Sequence, residues 1–277
     1  MRFIWKHLFI VFGLSFLLFA SAEGQDLATT VDPDEKREPV HPAVEQYRYD
    51  IAFLWFDRLA EAQLSLQPVE EPNRWQATLE ANTLGVAAWL TSDRAQSYVS
   101  LMQLDKEEGF TSLRHDSNIS KTKEGRKRVR LKRYLFDHKQ QKIIQRVTRN
   151  GRQKEDLVLP MPPVKPNDIL TAFYNFRQGV YGPLVKGAKY RIPTYSRMVA
   201  SEIIVEVLAD KQRPRSPKFP KQGLLLKVQI DKEVFDTDNG IVYVWLDAQG
   251  RPAQVVVEDV IGMGDVRCTL QQKGQSS

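Results

Sequence analysis

Alternation limits the folds open to this chain. From Tyr47 to Leu270, apolar and polar residues trade places with a period of two in segment after segment, the pattern of strands that bury one face. Tyr47, Tyr49, Ile51, Phe53 and Trp55 alternate with Arg48, Asp50, Ala52 and Leu54. Ala60 to Gln67 and Trp75 to Ala81 repeat the pattern, with Pro68, Pro72 and Asn73 between them as hairpin residues. Arg94 to Leu104, Phe110 to Ser117, Arg126 to Phe136 and Lys142 to Arg149 read as further strands, and Asn150-Gly151 is a strong hairpin turn. Leu84 to Leu90 fits either a short helix or an apolar strand. The clearest alternation comes last, at Ile203–Val207, Leu224–Ile230, Val242–Leu246, Ala253–Val257 and Val266–Leu270. Turn residues at hairpin spacing join most of these, so the series reads as an antiparallel meander.

One stretch breaks the period. Asn167 to Gly179 reads as a helix, with Asn167 at the cap, Asp168 at the positive end and Gly179 closing it. Ile169, Phe173 and Phe176 share one face, which Leu170 and Tyr174 widen. So apolar a short helix needs a concave apolar surface, and curving strands supply one. The expected fold is therefore mainly β: a strongly curved antiparallel sheet, a half-barrel or open barrel, wrapped around one short central helix. Pro160, Pro162, Pro163 and Pro166 keep the lead into the helix out of the middle of any sheet.

The first 22 residues read as a signal peptide. Arg2, Lys6 and His7 form a basic start, Leu8 to Ala20 is apolar, and Ala20-Ser21-Ala22 is a cleavage signal. The apolar run is too short to span a bilayer, so the mature chain is expected to be exported and not membrane-spanning. Residues 23–42 follow as a disordered acidic leader, then a single β-rich domain over 43–272 and a disordered tail at 273–277. The formal charge of the whole chain is +6. Setting aside the signal segment (two bases) and the leader (six acids against two bases) leaves the folded part near +8, which favours anionic partners. The single cysteine, Cys268, excludes an internal disulfide and reads as a buried small hydrophobe.

Two constellations stand out. The first is basic: Lys121, Lys123, Arg126, Lys127, Arg128, Arg130, Lys132 and Arg133 cluster around one predicted hairpin, and Arg146 with its neighbours follows on the next strand. Arg126, Arg128, Arg130, Lys132 and Arg146 are the candidates for binding an anion. The competing reading is a charged edge that deters sheet-to-sheet aggregation. The second is aromatic: Tyr49, Phe53, Trp55, Trp75, Phe173 and Phe176 would line a cavity beside the helix, or else form ordinary core. Trp245 is a further candidate for that interior. Arg177, at the end of the helix, suits the last carbonyls or pairs with a carboxylate such as Asp50 or Asp137.

Tyr49-Asp50-Ile51 opening the first strand, Thr83 with Gly85 after the third, Phe136-Asp137, the run Asp168 to Arg177, Trp245-Leu246 with Arg251-Pro252, and Ile261-Gly262 together resemble the bacterial exported family catalogued as domain of unknown function 3108. The resemblance runs from Tyr47 to Leu270. It implies an envelope location and a β-rich fold, and it brings no catalytic residues. Departures are the acidic leader and the proline-rich basic loop from Arg213 to Gly223.

Catalytic and metal residues are not assigned. His41, His115 and His138 lack metal-ligand spacing, and there is no nucleophile elbow or phosphate loop. Asp236, Asp238 and Asn239 suggest a calcium loop, but no acid follows at the required distance, so they read as a turn. No cofactor is expected. The functional expectation is a non-enzymatic periplasmic protein of the cell envelope that binds a lipid or lipopolysaccharide-like amphiphile, or another anionic envelope component. An envelope assembly protein that binds other proteins is the alternative, and a glycan hydrolase, supported by no motif, is the second. Export argues against nucleic acid as a partner.

Overall fold

The period-two segments become strands, and among the described residues fifteen strands pair into one antiparallel sheet. The computed structural model describes residues 40–53, 56–84, 93–123, 125–196, 199–214, 219–230, 240–258, 260 and 264–271. The expected signal peptide, most of the leader, the tail, Trp55, most of Leu84–Leu90 and the aspartates at 236 and 238 lie outside these residues.

The first half holds the long strands: β1 (Glu45–Phe53), β2 (Phe56–Pro68), β3 (Arg74–Thr83), β4 (Arg94–Asp105), β5 (Gly109–Lys123), β6 (Arg126–Asp137) and β7 (Lys142–Arg149). Short edge pieces β8 (Arg152–Gln153) and β9 (Leu157–Pro160) both pair with β7. Helix α1 (Ile169–Arg177) follows. The second half is β10 (Lys189–Ser196), β11 (Val199–Val207), β12 (Leu224–Gln229), β13 (Ile241–Leu246), β14 (Pro252–Val257) and β15 (Val266–Leu270). The expected meander is β11 to β15. Its last strand pairs with β1 (Ile51 opposite Cys268), which joins the two halves into the order β10 to β15, then β1 to β8.

β10 has no counterpart among the strands expected from the sequence. Pro193 interrupts its alternation, but β10 is an edge strand, where proline is tolerated. The lead into α1 runs between the two sheet edges. Met161 donates its N–H to Gln141 O on the β7 side at 2.8 Å. Asn167 donates its N–H to Pro193 O and accepts from Tyr195 N, both at 3.0 Å. Tyr195 packs edge-on against Tyr134 and Phe136 with ring centroids 5.9 and 6.4 Å apart. The sheet thus curves until its edges nearly meet, and the seam is filled by Tyr134, Phe136, Ile143, Met161 and Tyr195.

α1 lies inside this curve and is buried almost all round. The apolar stripe splits into two. Leu170 and Tyr174 pack against Tyr49, Leu64, Leu66, Ala77, Met102 and Phe110 of β1 to β5. Ala172 and Phe176 pack against Ile192, Val205, Leu226, Val242, Leu246 and Val257 of β10 to β14. On the outer face of β12 to β14, Phe219 packs with Leu225 and Val256. Trp245 belongs there, donating to Gln222 O at 2.7 Å, so the expectation that it lines the interior is corrected: strand parity turns it outward.

Candidate functional site at the inner wall of the curved sheet

Asp168, not Asn167, is the N-cap of α1. Its carboxylate accepts from Leu170 N at 3.0 Å and Thr171 N at 3.1 Å. Asn167 is spent on the seam, where its amide donates to Pro193 O and Tyr181 Oη at 2.9 and 3.0 Å. Asp168 is 2 % exposed and also accepts from Ser100 Oγ and Thr171 Oγ1, each at 2.6 Å. Burial alone would push this carboxyl up; the His115 ring 3.5 Å away and the hydrogen bonds from Ser100 and Thr171 outweigh it and hold Asp168 well below the usual carboxylate range.

The sheet aims the partners with a bulge. The register of β4 against β5 shifts between Leu101 and Met102, so Ser112 and His115 both face inward although they are three residues apart. Ser112 Oγ then accepts from Asp168 N at 2.9 Å, and His115 Nδ1 lies 2.9 Å from Ser100 Oγ. Serine, histidine and aspartate meet here without forming a nucleophile triad. Ser100 gives its proton to Asp168, and both approach the same ring nitrogen of His115, whereas a triad needs its serine and its acid on opposite nitrogens. The cluster anchors the helix. Among the described residues, no group of three or more His, Cys, Asp or Glu side chains is placed to hold a metal ion.

The other end of α1 is fixed as firmly. Gly179 adopts φ +73°, its N–H reaches Phe176 O, and Val180 N reaches Asn175 O, a Schellman closure. Asn175 brackets Phe110, accepting from its N–H at 2.7 Å and donating to its carbonyl at 2.8 Å. Arg177 pairs with Glu45 at 2.6 and 3.1 Å, rather than with Asp50 or Asp137, and donates to Gly250 O at 3.3 Å. The rings of Tyr47, Phe173 and Tyr174 surround its guanidinium at 5.5–5.9 Å.

These anchors set where the interior is filled. α1 lies along β5, from His115 at its N-terminus to Phe110 near its C-terminus. With a rise of 1.5 Å per residue it is about 14 Å long, whereas β5 extends for about 50 Å. The inner wall therefore continues beyond the helix N-terminus. Parity and register place Ala62 of β2, Leu79 and Ala81 of β3, Tyr98 of β4 and Ser117 and Ile119 of β5 on it, all of them only half-buried. On the β10 to β14 side the residues facing α1 form a buried apolar core.

The expected aromatic residues do not line one space. Tyr49 and Phe176 are buried in opposite cores, Phe53 joins the β10–β14 side, and Trp75 and Phe173 are half-buried on the β1–β5 side. Trp75 meets Phe110 edge-on at 6.2 Å. The basic cluster divides between two faces. Arg126, Arg128, Arg130 and Lys132 share parity with the buried Tyr134 and Phe136 and so belong to the inner wall. Lys132 Nζ lies 5.6 Å over the Tyr134 ring. Arg133 and Arg146 are on the outer face, bound in forks to Asp116 (2.7 and 2.8 Å) and Asp156 (2.7 and 3.0 Å). The sequence separates these sets only through parity. The bulge and the pairing partners had no local signal.

The fold and the wall define a class: an open, β-barrel-like sheet plugged at part of its length by one helix. Within that class the chain belongs to the family described as protein of unknown function (DUF3108), whose model matches residues 47–271. No curated protein matches the chain. A crystal structure titled a beta-barrel-like protein of domain of unknown function DUF1849, from Brucella abortus, is similar at 9% identity and TM-score 0.40, covering 83% of this chain and 96% of that one.

Proposed function

We propose that this is a non-enzymatic, exported protein of the cell envelope that binds an amphiphile on the inner wall beyond the N-terminus of α1. The observation that carries the reading is the mismatch of lengths: a helix of about 14 Å fills only part of a wall about 50 Å long. The remainder offers half-buried Ala62, Leu79, Ala81 and Ile119 within a curved surface. Concave apolar surface with a few polar groups at its rim is the usual form of a ligand site. The leading segment with its basic start and Ala20-Ser21-Ala22 supports export to the periplasm.

Native mass spectrometry of the protein purified from the envelope of its own bacterium tests this. The expected spectrum carries adducts of lipid mass that collisional activation removes. Protein that is consistently bare, and that takes up no added lipid, would refute the reading.

A further inference from the structure

The inner wall ends in a row of like charges. Across β4, β5 and β6, Arg94 stands opposite Lys121, and Lys121 opposite Arg128. Two residues further along β6, Arg130 stands opposite Arg149 of β7. Side chains directly opposite in an antiparallel pair are close neighbours, and like charges there repel. Among the described residues of these strands, this face carries no acid beside Lys121, Arg128 and Arg130. The inward residues are Gln96, Tyr98 and Ser100 on β4, Ser117 and Ile119 on β5, and Lys132 and Tyr134 on β6. Among the described residues, no carboxylate forms a salt bridge with Lys121, Arg128 or Arg130. Lys121 registers the crowding: burial, then Arg94 and Arg130, push its ammonium below the usual lysine range. On the opposite face of the same hairpin the arrangement is reversed, and Arg133 has its own carboxylate, Asp116. Lys121, Arg128 and Arg130 therefore stand without a carboxylate on the wall that also carries the half-buried apolar residues.

Resting on the amphiphile reading above, we infer that Lys121, Arg128 and Arg130, with Arg94 and Arg149 beside them, form a clamp for the phosphate of the amphiphile's headgroup. Three neighbouring strands span about 10 Å, so one phosphate can accept from cations on more than one of them. Arginine forks suit its oxygens. The row begins where the apolar wall ends: Ile119 lies between Ser117 and Lys121 on β5, and Ala81 lies opposite Gln96. A single ligand then meets both surfaces, its chain on Ala62, Leu79, Ala81 and Ile119 and its phosphate on the cationic row.

The experiment compares charge reversal on two adjacent residues of β6. Arg128→Glu changes the inner face and Lys127→Glu, opposite Thr122, makes the same change of charge on the outer face; both residues are exposed, so only the face differs. The full mature chain is titrated at low salt with lysophosphatidylglycerol below its micelle concentration, with an uncharged alkyl maltoside of the same chain length, and with inorganic phosphate. Wild type should prefer the lysophospholipid by roughly tenfold or more, the margin that one charge-assisted hydrogen bond supplies. R128E should remove that preference and K127E should leave it within about twofold. Equal effects of the two variants, or equal binding of the two amphiphiles, overturns the clamp; if both amphiphiles still bind, the amphiphile reading survives it. Phosphate binding that R128E abolishes and K127E spares, without binding of either amphiphile, upholds the clamp and refutes the amphiphile reading. Absence of all three interactions overturns both. Thermal melts of the two variants must coincide, which separates loss of the site from loss of the fold.

Discussion

Replacing Asp168 by alanine should destabilise this protein more than any surface change, because one carboxylate serves four donors. Leu170 N–H, Thr171 N–H, Thr171 Oγ1 and Ser100 Oγ would all lose their acceptor in a site only 2 % exposed. A lost cap costs about 1 kcal/mol and each buried orphan donor about 1–3 kcal/mol. These terms overlap, so about 3–6 kcal/mol is expected against a total of about 5–15 kcal/mol. Urea denaturation followed by circular dichroism measures it. Asp168→Ser restores the cap alone and should recover about 1 kcal/mol, and Asp168→Asn keeps an acceptor without the charge and should fall between alanine and wild type. The pH dependence has a definite sign. The folded carboxyl is held below its unfolded value, so its contribution is present above about pH 4 and is lost as the pH falls towards the folded value. The gap between wild type and Asp168→Asn should narrow in that acidic range. A loss below about 1 kcal/mol for Asp168→Ala at neutral pH would refute the anchoring role given to this cluster.

Arg177→Met should cost about 3–5 kcal/mol in the same assay by leaving Glu45 unpaired, and adding Glu45→Gln should recover part of it; the side chains are 11% and 19% exposed. Gly109→Ala should lower the melting temperature, because φ is +86° and the new Cβ would sit 2.5 Å from Val180 Cγ2 and 2.8 Å from Asn175 Oδ1. Cys268 is half-buried rather than buried, between Ile51 of β1 and Val255 of β14 and packed against the cluster around Tyr174, and burial pushes its thiol up to about 12; it should react with a thiol reagent at pH 8 much more slowly before denaturant is added than after, and equal rates would contradict that packing.

Much of the fold was legible because strand and helix periods are local. Alternation marked most of the strands, Asn150-Gly151 marked a turn in which both residues have positive φ, and the single aperiodic stretch marked α1. β10 escaped because Pro193 masks its pattern, and whether proline is tolerated depends on which strand lies alongside. The helix cap slipped by one residue, from Asn167 to Asp168, because both types suit a cap and only the seam, which claims the Asn167 backbone and amide, decides between them.

For the site, the order of residues along the chain already settles which are basic, which are aromatic, and which share parity on a strand, since each is a property of composition and neighbouring positions. What those residues face depends on the folded sheet. The bulge in β5 turned Ser112 and His115 towards Asp168. Pairing gave Arg133 and Arg146 carboxylates on the outer face. The same pairing lined up Arg94, Lys121 and Arg128 across three strands. The physical reason is distance along the chain: Asp116 and Arg133, Glu45 and Arg177, and Ile51 and Cys268 become neighbours only when the sheet curves and pairs, and no local pattern encodes which strand will lie beside which.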